Sequence, residues 1–509
     1  MTASFALADE PWTTARTVPA QPKRGTLLLV DDHHILYRSG TKRILQPLSR
    51  HPNNPLIVGR EKPWEMAIAW TSVYRDPANG KYELWYQSYA GPAAKEKTHR
   101  CTVSYAESAD GIAWTKPNLG LHRFNDVANT NIVLLANGGT SDRYGASVVV
   151  DPSDPDPARR YKMTYFDFMT ENGKEFPGMC VAFSPDGIHW TKHPHGPVLR
   201  ASYGDRGDEV PFADTAEARP WSRPLSIADA SDVFYDPLRK VFAVYGKMWI
   251  DGPDGRMYWK HAAGRTQSAD FIHWDEPQLI MTPDEHDPAD VEFHTTPVFY
   301  YSGCYFAAPQ ILNREERGGV MDIELAISRD GVHFDRPFRK PFWLPRSEGG
   351  GKFDSGSLFT NSSPVVLDEE IRFYYGGYGQ GATGADDNDQ ISGIGLATMP
   401  RDRFASVEPM AQIGQITLKP IDLSGVKSIT VNADAGAGGS IAAELLDARG
   451  YRVRGFTREE AKPMLGDSLR HAVEWKGRSG ASFNDLPPGA YMLRLLLLKS
   501  AKVFAVTVN

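Results

Sequence analysis

Short apolar runs alternate with polar turns along most of the chain, and the same order of runs keeps returning. Val73-Tyr-Arg-Asp-Pro77, Val148-Val-Val-Asp-Pro152 and Val233-Phe-Tyr-Asp-Pro237 each end in an Asp-Pro turn. Aromatic-rich runs follow them: Tyr82-Glu-Leu-Trp-Tyr86, Tyr161-Lys-Met-Thr-Tyr165 and Val241-Phe-Ala-Val-Tyr245. Runs of β-branched and aromatic residues bounded by Asp, Pro and Gly predict strands joined by hairpins. Pro297-Val-Phe-Tyr-Tyr301 and Pro364-Val-Val-Leu-Asp368 begin a fourth and a fifth unit.

A third run in each unit (Thr102-Val-Ser-Tyr105, Cys180-Val-Ala-Phe183, Leu325-Ala-Ile327) enters a recurrent phrase. It reads Ser108-Ala-Asp110-Gly111-Ile-Ala-Trp114, then Ser184-Pro-Asp186-Gly187-Ile-His-Trp190. It returns as Ser268-Ala-Asp270-Phe271-Ile-His-Trp274 and Ser328-Arg-Asp330-Gly331-Val-His-Phe334, with a weaker copy at Met399 to Phe404. In such a turn Ser and Asp side chains satisfy backbone N–H groups and Gly supplies a positive φ. The closing aromatic is expected to pack between units and to begin a fourth strand. A phrase that recurs five times is structural, since one active site is expected.

Four antiparallel strands repeated five times predict an all-β fold, a five-bladed β-propeller. After Phe404 the composition shifts toward Ala, Gly and Leu. Candidate strands at Ser428–Asn432, Ser440–Leu446, Leu469–Trp475, Tyr491–Leu497 and Lys502–Val508, separated by Gly- and Pro-bearing turns, predict a C-terminal β-sandwich. A helical turn is expected near Arg458 to Leu465. The expected division is 1–45 as N-terminal strand and linker, 46–412 as the propeller and 413–509 as the accessory sandwich. The strand Thr26–Val30 joins either a blade edge or the sandwich.

Composition narrows the function. The 509 residues carry a formal net charge of −7, which argues against a nucleic-acid partner, since phosphate binding needs a basic footprint. No apolar run reaches membrane-spanning length. Cys101, Cys180 and Cys304 are far apart and odd in number, the pattern of buried free thiols. Met1 to Thr14 holds no intact signal peptide. A periplasmic or secreted location is expected if a leader was removed, and a cytoplasmic one otherwise. Oligomeric state is not legible.

In a propeller the residues just before each innermost strand converge on the axis. Those positions are mostly acidic: Glu65 after Trp64, Asp142-Arg143-Tyr144, Asp229 and Asp232, Glu292 and His294 in Asp290-Val-Glu-Phe-His294, and Asp354. Carboxylates gathered in one funnel repel unless paired, protonated or bound to a cation. Glycoside cleavage uses that tension, with one carboxyl as acid and another as base or nucleophile. His294 is suited to orient a carboxylate, and Arg143 to neutralise the cluster or grip an acidic sugar. Trp64, Trp70, Trp221, Trp249, Tyr258, Trp259 and Trp343 are candidates to stack on sugar faces. The long polar stretches 202–227 and 376–391 are expected to wall the pocket. The carboxylates also suit a structural Ca²⁺, although the chemistry requires no cofactor.

With these motifs in place, the chain resembles the furanosidase-type five-bladed propeller glycosidases, the superfamily of glycoside hydrolase families 32, 43, 62, 68 and 117. It is most similar to a bacterial family-32-like group. The resemblance rests on Pro63-Trp-Glu65, the stretch from Ser108 to Leu121, Asn129-Thr-Asn131, Arg160-Tyr-Lys-Met163, Phe353-Asp-Ser-Gly356, Gly393-Ile-Gly-Leu-Ala397 and Arg401-Asp-Arg-Phe404. It implies three central acids: a base or nucleophile, a pKa-modulating aspartate and a general-acid glutamate. Glu65 departs from it, standing where an aspartate is expected. The invertase Trp-Met-Asn-Asp-Pro and Glu-Cys motifs are missing, which argues against sucrose or fructan. Arg75-Asp-Pro77 imitates an invertase motif but falls at a hairpin turn.

The expected function is therefore a glycosidase acting on an oligo- or polysaccharide. Glu292 is expected as acid and Asp229 as base or nucleophile, with Glu65 the third catalytic candidate. Asp354, His294, Arg143, Asp232 and Trp64 are expected to bind substrate. Two other classes fit the same pattern: a polysaccharide lyase acting on a uronate-containing glycan, and a non-catalytic carbohydrate-binding propeller.

Overall fold

The computed structural model describes residues 24–139, 145–201, 227, 229–252, 259–316, 318–382, 390–477, 483 and 485–509. Among them the chain is all-β, and its helical content is three single-turn 3-10 segments. It divides into two compact units: 48–366 with 371–398, and residues up to Pro47 with 367–370 and 399–509.

The larger unit holds five sheets, antiparallel except where Val320–Ile323 pairs parallel with Ser357–Phe359. Four are meanders in chain order. The first is Ala67–Arg75, Tyr82–Tyr89, Cys101–Ser108 and Ile132–Leu135. The second is Ala146–Val150, Tyr161–Glu171, Lys174–Ser184 and Thr191–Lys192, with Leu199–Arg200 beside its third strand. The third is Ser231–Asp236, Val241–Ile250, Lys260–Ser268 and Gln278–Met281, and the fourth is Val298–Tyr301, Cys304–Ala307, Leu325–Ser328 and Asp335–Phe338. In the fifth, Val365–Val366, Glu370–Tyr378 and Ser392–Pro400 are completed by Ser49–Arg50 and Ile57–Val58 from the chain's beginning. The same sheet continues through Ser357–Phe359 into a ladder of Val320–Ile323, Gln310–Asn313 and Val291–Phe293, segments that flank the fourth sheet's strands in the chain.

Four copies of the recurrent phrase build the same turn, and the weaker copy at Met399 to Phe404 is closed instead by Arg403 N to Pro400 O. Ser108 Oγ accepts from the Gly111 N–H at 2.9 Å, and Asp110 Oδ1 accepts from the N–H groups of Ile112 and Ala113 at 2.8 Å each. Ser184–Asp186, Ser268–Asp270 and Ser328–Asp330 repeat it. The glycine carbonyl then ties one sheet to the next. Tyr374 of the fifth sheet donates to Gly111 O at 2.8 Å, Trp85 of the first to Gly187 O at 2.6 Å, and Tyr245 of the third to Gly331 O at 2.6 Å. A Cβ on Gly111, whose φ is +73°, would lie 2.3 Å from the Tyr374 hydroxyl, so this copy of the turn is closed to a side chain, whereas the third copy carries Phe271 at φ +70°. The expected fourth strand follows the closing aromatic directly in the second and fourth sheets. In the first it waits until Ile132.

Side chains reaching to a neighbour's backbone join the first strands of the sheets. Ser72 Oγ accepts from Val148 N, Ser147 Oγ from Val233 N, and Ser362 donates to Val233 O. Asn361 donates to Thr71 Oγ1. Apolar clusters fill the spaces between sheets, such as Trp85, Val103 and Tyr105 against Val148, Met163 and Tyr165, and Phe234 and Tyr245 against Val298 and Tyr305. Each such buried side chain contributes roughly 1.5–3 kcal/mol.

The smaller unit has two sheets around one core. One runs Thr41–Leu45, Ala405–Pro409, Lys502–Val508, Ile429–Asp434, Asp467–Ala472, with Gly25–Leu28 also on Lys502–Val508. The other runs Ile35–Ser39, Ile413–Leu418, Ala490–Leu498, Ile421–Asp422, with Ser440–Leu446 also on Ala490–Leu498. Alternation along the strands, interrupted by a register shift between Ala505 and Val503, turns Val431, Val503 and Val506 toward Ile441, Leu445, Leu493 and Leu495. The expected helical turn near Arg458 is a plain turn closed by Glu460 N to Thr457 O at 3.1 Å.

Candidate active site

The third sheet meets the ladder of Val291–Phe293 and Gln310–Asn313, which belongs to the fifth sheet, in a polar cluster. The hairpin Val241–Ile250/Lys260–Ser268 pairs Trp249 with His261, and Lys247 shares a strand face with Trp249 because residues two apart point the same way. Glu292 and His294 stand two apart on the neighbouring segment, where Glu292 pairs across to Leu312 and His294 N bonds Gln310 O. Asp229 comes from the segment leading into Ser231–Asp236.

Asp229 and Lys247, both buried, form a close ion pair. Glu292 is buried and held by four contacts. Oε2 lies 2.6 Å from His261 Nδ1, 3.0 Å from the His261 backbone N and 3.1 Å from Arg314 Nη2, while Oε1 lies 3.0 Å from Arg314 Nε. Burial opposes its charge, but the His261 contacts outweigh this and hold the carboxyl below the usual glutamate range. His261 is pushed down to about 4 and His294 to about 3, chiefly by burial, with Lys247 adding to both shifts. Both imidazoles are therefore neutral near pH 7. His294 Nδ1 meets Gln310 Oε1 at 3.1 Å, and Asp229 acts electrostatically on His294, which joins the two halves of the cluster.

Aromatic faces border these groups. The Trp249 and His261 ring centroids are 3.7 Å apart. Trp70 sits in a bulge of the first sheet's inner strand with φ +42°, strained for an L-residue. Its ring lies 4.4 Å from Phe359 and 6.0 Å from His294, and its buried Nε1 has no hydrogen-bond partner among the described residues.

The remaining expected site residues stand elsewhere. Asp232, three positions after Asp229, points into the junction of inner strands. Ser147 donates to its Oδ1 at 3.0 Å, Ser362 adds hydrogen bonds, and burial pushes its carboxyl up to about 8. Glu65 is fully buried with Tyr86 on Oε1 and Lys116 on Oε2, each at 2.7 Å. Trp64 belongs to the same network: its Nε1 donates to Asn131, and Asn131 donates to the Tyr86 hydroxyl. Asp354 is buried against Arg50 at 2.7 Å and Tyr375 at 2.9 Å. The structure thus brings Asp229, Glu292 and His294 together, whereas Glu65 with Trp64, Asp232 and Asp354 each meet other partners. Asp142, Arg143, Tyr144, Trp221 and Tyr258 lie outside the described residues, as does most of 202–227.

Lys247, His261, Arg314 and Gln310 complete the cluster and were not among the expected site residues. Lys247, His261 and Gln310 lie on strands and Arg314 just past one, whereas the expected site residues were those that enter the first strand of each unit. Among the described residues no group of three or more His, Cys, Asp or Glu is arranged to hold a metal ion.

No family model matches the chain, and no curated protein matches it. Solved structures do. One is titled "Glycoside hydrolase" (14% identity, TM-score 0.44, covering 70% of this chain and 91% of the other). Another belongs to work on GH130 mannoside phosphorylases and hydrolases that target β-1,2 mannosidic linkages in Candida mannan (16%, 0.45, 72% and 97%). A third is an N-acetylgalactosamine deacetylase from F. plautii bound to blood group B trisaccharide (17%, 0.41, 71% and 95%). Likeness at this level fixes no activity.

Proposed function

We propose that the chain is a glycoside hydrolase whose chemistry takes place at the Asp229–Glu292 cluster, with the five sheets as blades of a five-bladed propeller and the smaller unit as an accessory sandwich. The observation that carries this reading is the convergence of two buried carboxylates from neighbouring sheets with two neutral imidazoles and the indoles of Trp70 and Trp249. Carboxyl pairs beside aromatic faces suit a pyranose or furanose ring, whose apolar face stacks while its reacting carbon meets oxygen.

Glu292, kept ionised by His261 and Arg314, suits the base or nucleophile rather than the acid expected of it. Asp229 is ion-paired with Lys247, which favours its carboxylate as well, so the acidic proton nearest it is the one on the Lys247 ammonium. Glu65 and Asp354, each saturated by its own partners, support the fold around the site in this reading. The motif resemblance to furanosidase-type enzymes points to a furanoside or related sugar as substrate.

A panel of aryl furanosides and pyranosides with plant and algal polysaccharides tests the proposal through release of reducing ends. Release by the wild type supports it. Product absorbing in the ultraviolet without water addition would mean a lyase, and sugar binding with no turnover anywhere in the panel would mean a binding module.

A further inference from the structure

The ladder that carries Glu292 has a cavity on its far side. Glu292, Leu312 and Met321 stand in one row across three strands, and Asp322 follows Met321 with its side chain on the opposite face. The segment after Asn313 forms the rim between the two faces. Arg314 reaches back from it to Glu292, and Glu316, two residues on, meets Arg346 Nη1 at 3.3 Å. Asn313 Oδ1 fixes the start of this rim by accepting from the N–H groups of Glu315 and Glu316, at 3.2 and 3.3 Å. Beyond it lies a cavity of about 430 Å³, open to solvent, whose walls include Glu316, Asp322, Arg346, Glu348, Gly350 and Ser355. That volume is in the range of small-ligand sites. Two strand spacings, roughly 10 Å, separate the strand of Asp322 from that of Glu292.

The walls decide what the cavity suits. None of its lining side chains is apolar, which disfavours a greasy ligand. Asp322 holds Arg346 at two points, accepting from its backbone N–H at 2.6 Å and from Nε at 3.1 Å. With Nη1 on Glu316, the guanidinium keeps Nη2 as a donor without a partner among the described residues. The carboxylates of Glu316, Asp322 and Glu348 repel a free anion, and a fixed guanidinium among them repels a metal ion. Donors and acceptors side by side match hydroxyl groups, since each hydroxyl both gives and accepts hydrogen bonds.

We propose that this cavity is an outlying subsite that binds an uncharged sugar unit of the same glycan whose bond is cleaved at the Asp229–Glu292 cluster. The assignment rests on the hydrolase reading for the reaction. It adds the substrate class: an oligo- or polysaccharide long enough to cross the rim over Glu316.

Two variants test it. A Cβ on Gly350 meets nothing within 4 Å, so Gly350→Leu adds bulk to the wall without a clash. Glu316→Ala removes an exposed acceptor and leaves Asp322 on Arg346. Thermal melts confirm that both fold. Kinetics then compare the best-cleaved aryl monoglycoside with arabino-, xylo- and galacto-oligosaccharides from dimer to hexamer. Both variants are expected to raise KM on the longer oligosaccharides on the order of tenfold and to leave the aryl monoglycoside at wild-type kcat and KM. Equal effects on long and short substrates, or none on either, overturn the subsite while the hydrolase reading stands. If the wild type cleaves nothing, that reading falls by itself and calorimetric titration with the same hexamers reads the cavity. Weaker binding to Gly350→Leu than to wild type then supports a sugar site there, and equal binding or none overturns it.

Discussion

His261 Nδ1 lies 2.6 Å from Glu292 Oε2, and the backbone N–H of the same histidine meets the same oxygen at 3.0 Å. One residue thus fixes a carboxylate with both its main chain and its side chain, across the boundary between two sheets. A carboxylate fixed this way is ionised before any substrate arrives. The account therefore predicts an acidic limb in the pH–activity profile that falls below the usual glutamate range. Replacing His261 with Phe removes the side-chain donor and is expected to move that limb to higher pH.

Glu65 provides a contrasting case. Its charge is buried completely and answered by Lys116. Lys116→Met leaves it without that cation, and breaking a buried pair from one side typically costs about 3–5 kcal/mol. A large drop in thermal stability is expected, with kcat of the folded fraction close to wild type. Loss of kcat with unchanged Tm would place Glu65 in the chemistry instead.

Asp232 makes stability depend on pH with an unusual sign. Its folded pKa, about 8, stands above the unfolded value near 3.8, so between those values the folded state holds a proton that the unfolded state has released. Its contribution is largest below pH 4, declines as pH rises, and levels off above about 8. Asp232→Asn carries no such proton and is expected to flatten this part of the curve, raising Tm near pH 8 relative to wild type. Thermal melts of both proteins from pH 4 to 9 check it, and parallel curves would contradict it.

The repeated turns should each matter modestly. Asp186 accepts from Ile188 N and His189 N, and these bonds with the His189 ring lower its pKa to about 2. Asp186→Ala is expected to cost about 1 kcal/mol, the net worth of a partly exposed hydrogen-bonded turn. The stability Asp186 contributes is present above pH 4 and fades as pH falls toward 2, so the variant and wild type should converge in acid. Urea titrations at pH 7 and pH 2.5 measure the difference.

These turns were legible in the sequence because everything they need lies within seven residues. The strand repeats were legible for the same reason, and Ser440–Leu446 and Lys502–Val508 were placed to the residue. Partners of buried acids were not. Lys116 follows Glu65 by 51 positions, and Arg50 precedes Asp354 by 304, so neither pairing leaves a local trace. His261 escaped notice because it opens a third strand, where the repeat argument expected only packing. Its role depends on the register that sets it opposite Trp249 and beside the next sheet.

The most direct measurement is kcat on the best-cleaved aryl glycoside for Asp229→Asn, Glu292→Gln and the double variant, with near-ultraviolet circular dichroism confirming the fold of each. Two carboxyls acting as one unit predict that each single change lowers kcat on the order of a thousandfold and that the double variant falls little further. Folded single variants that keep kcat within tenfold of wild type would contradict the account.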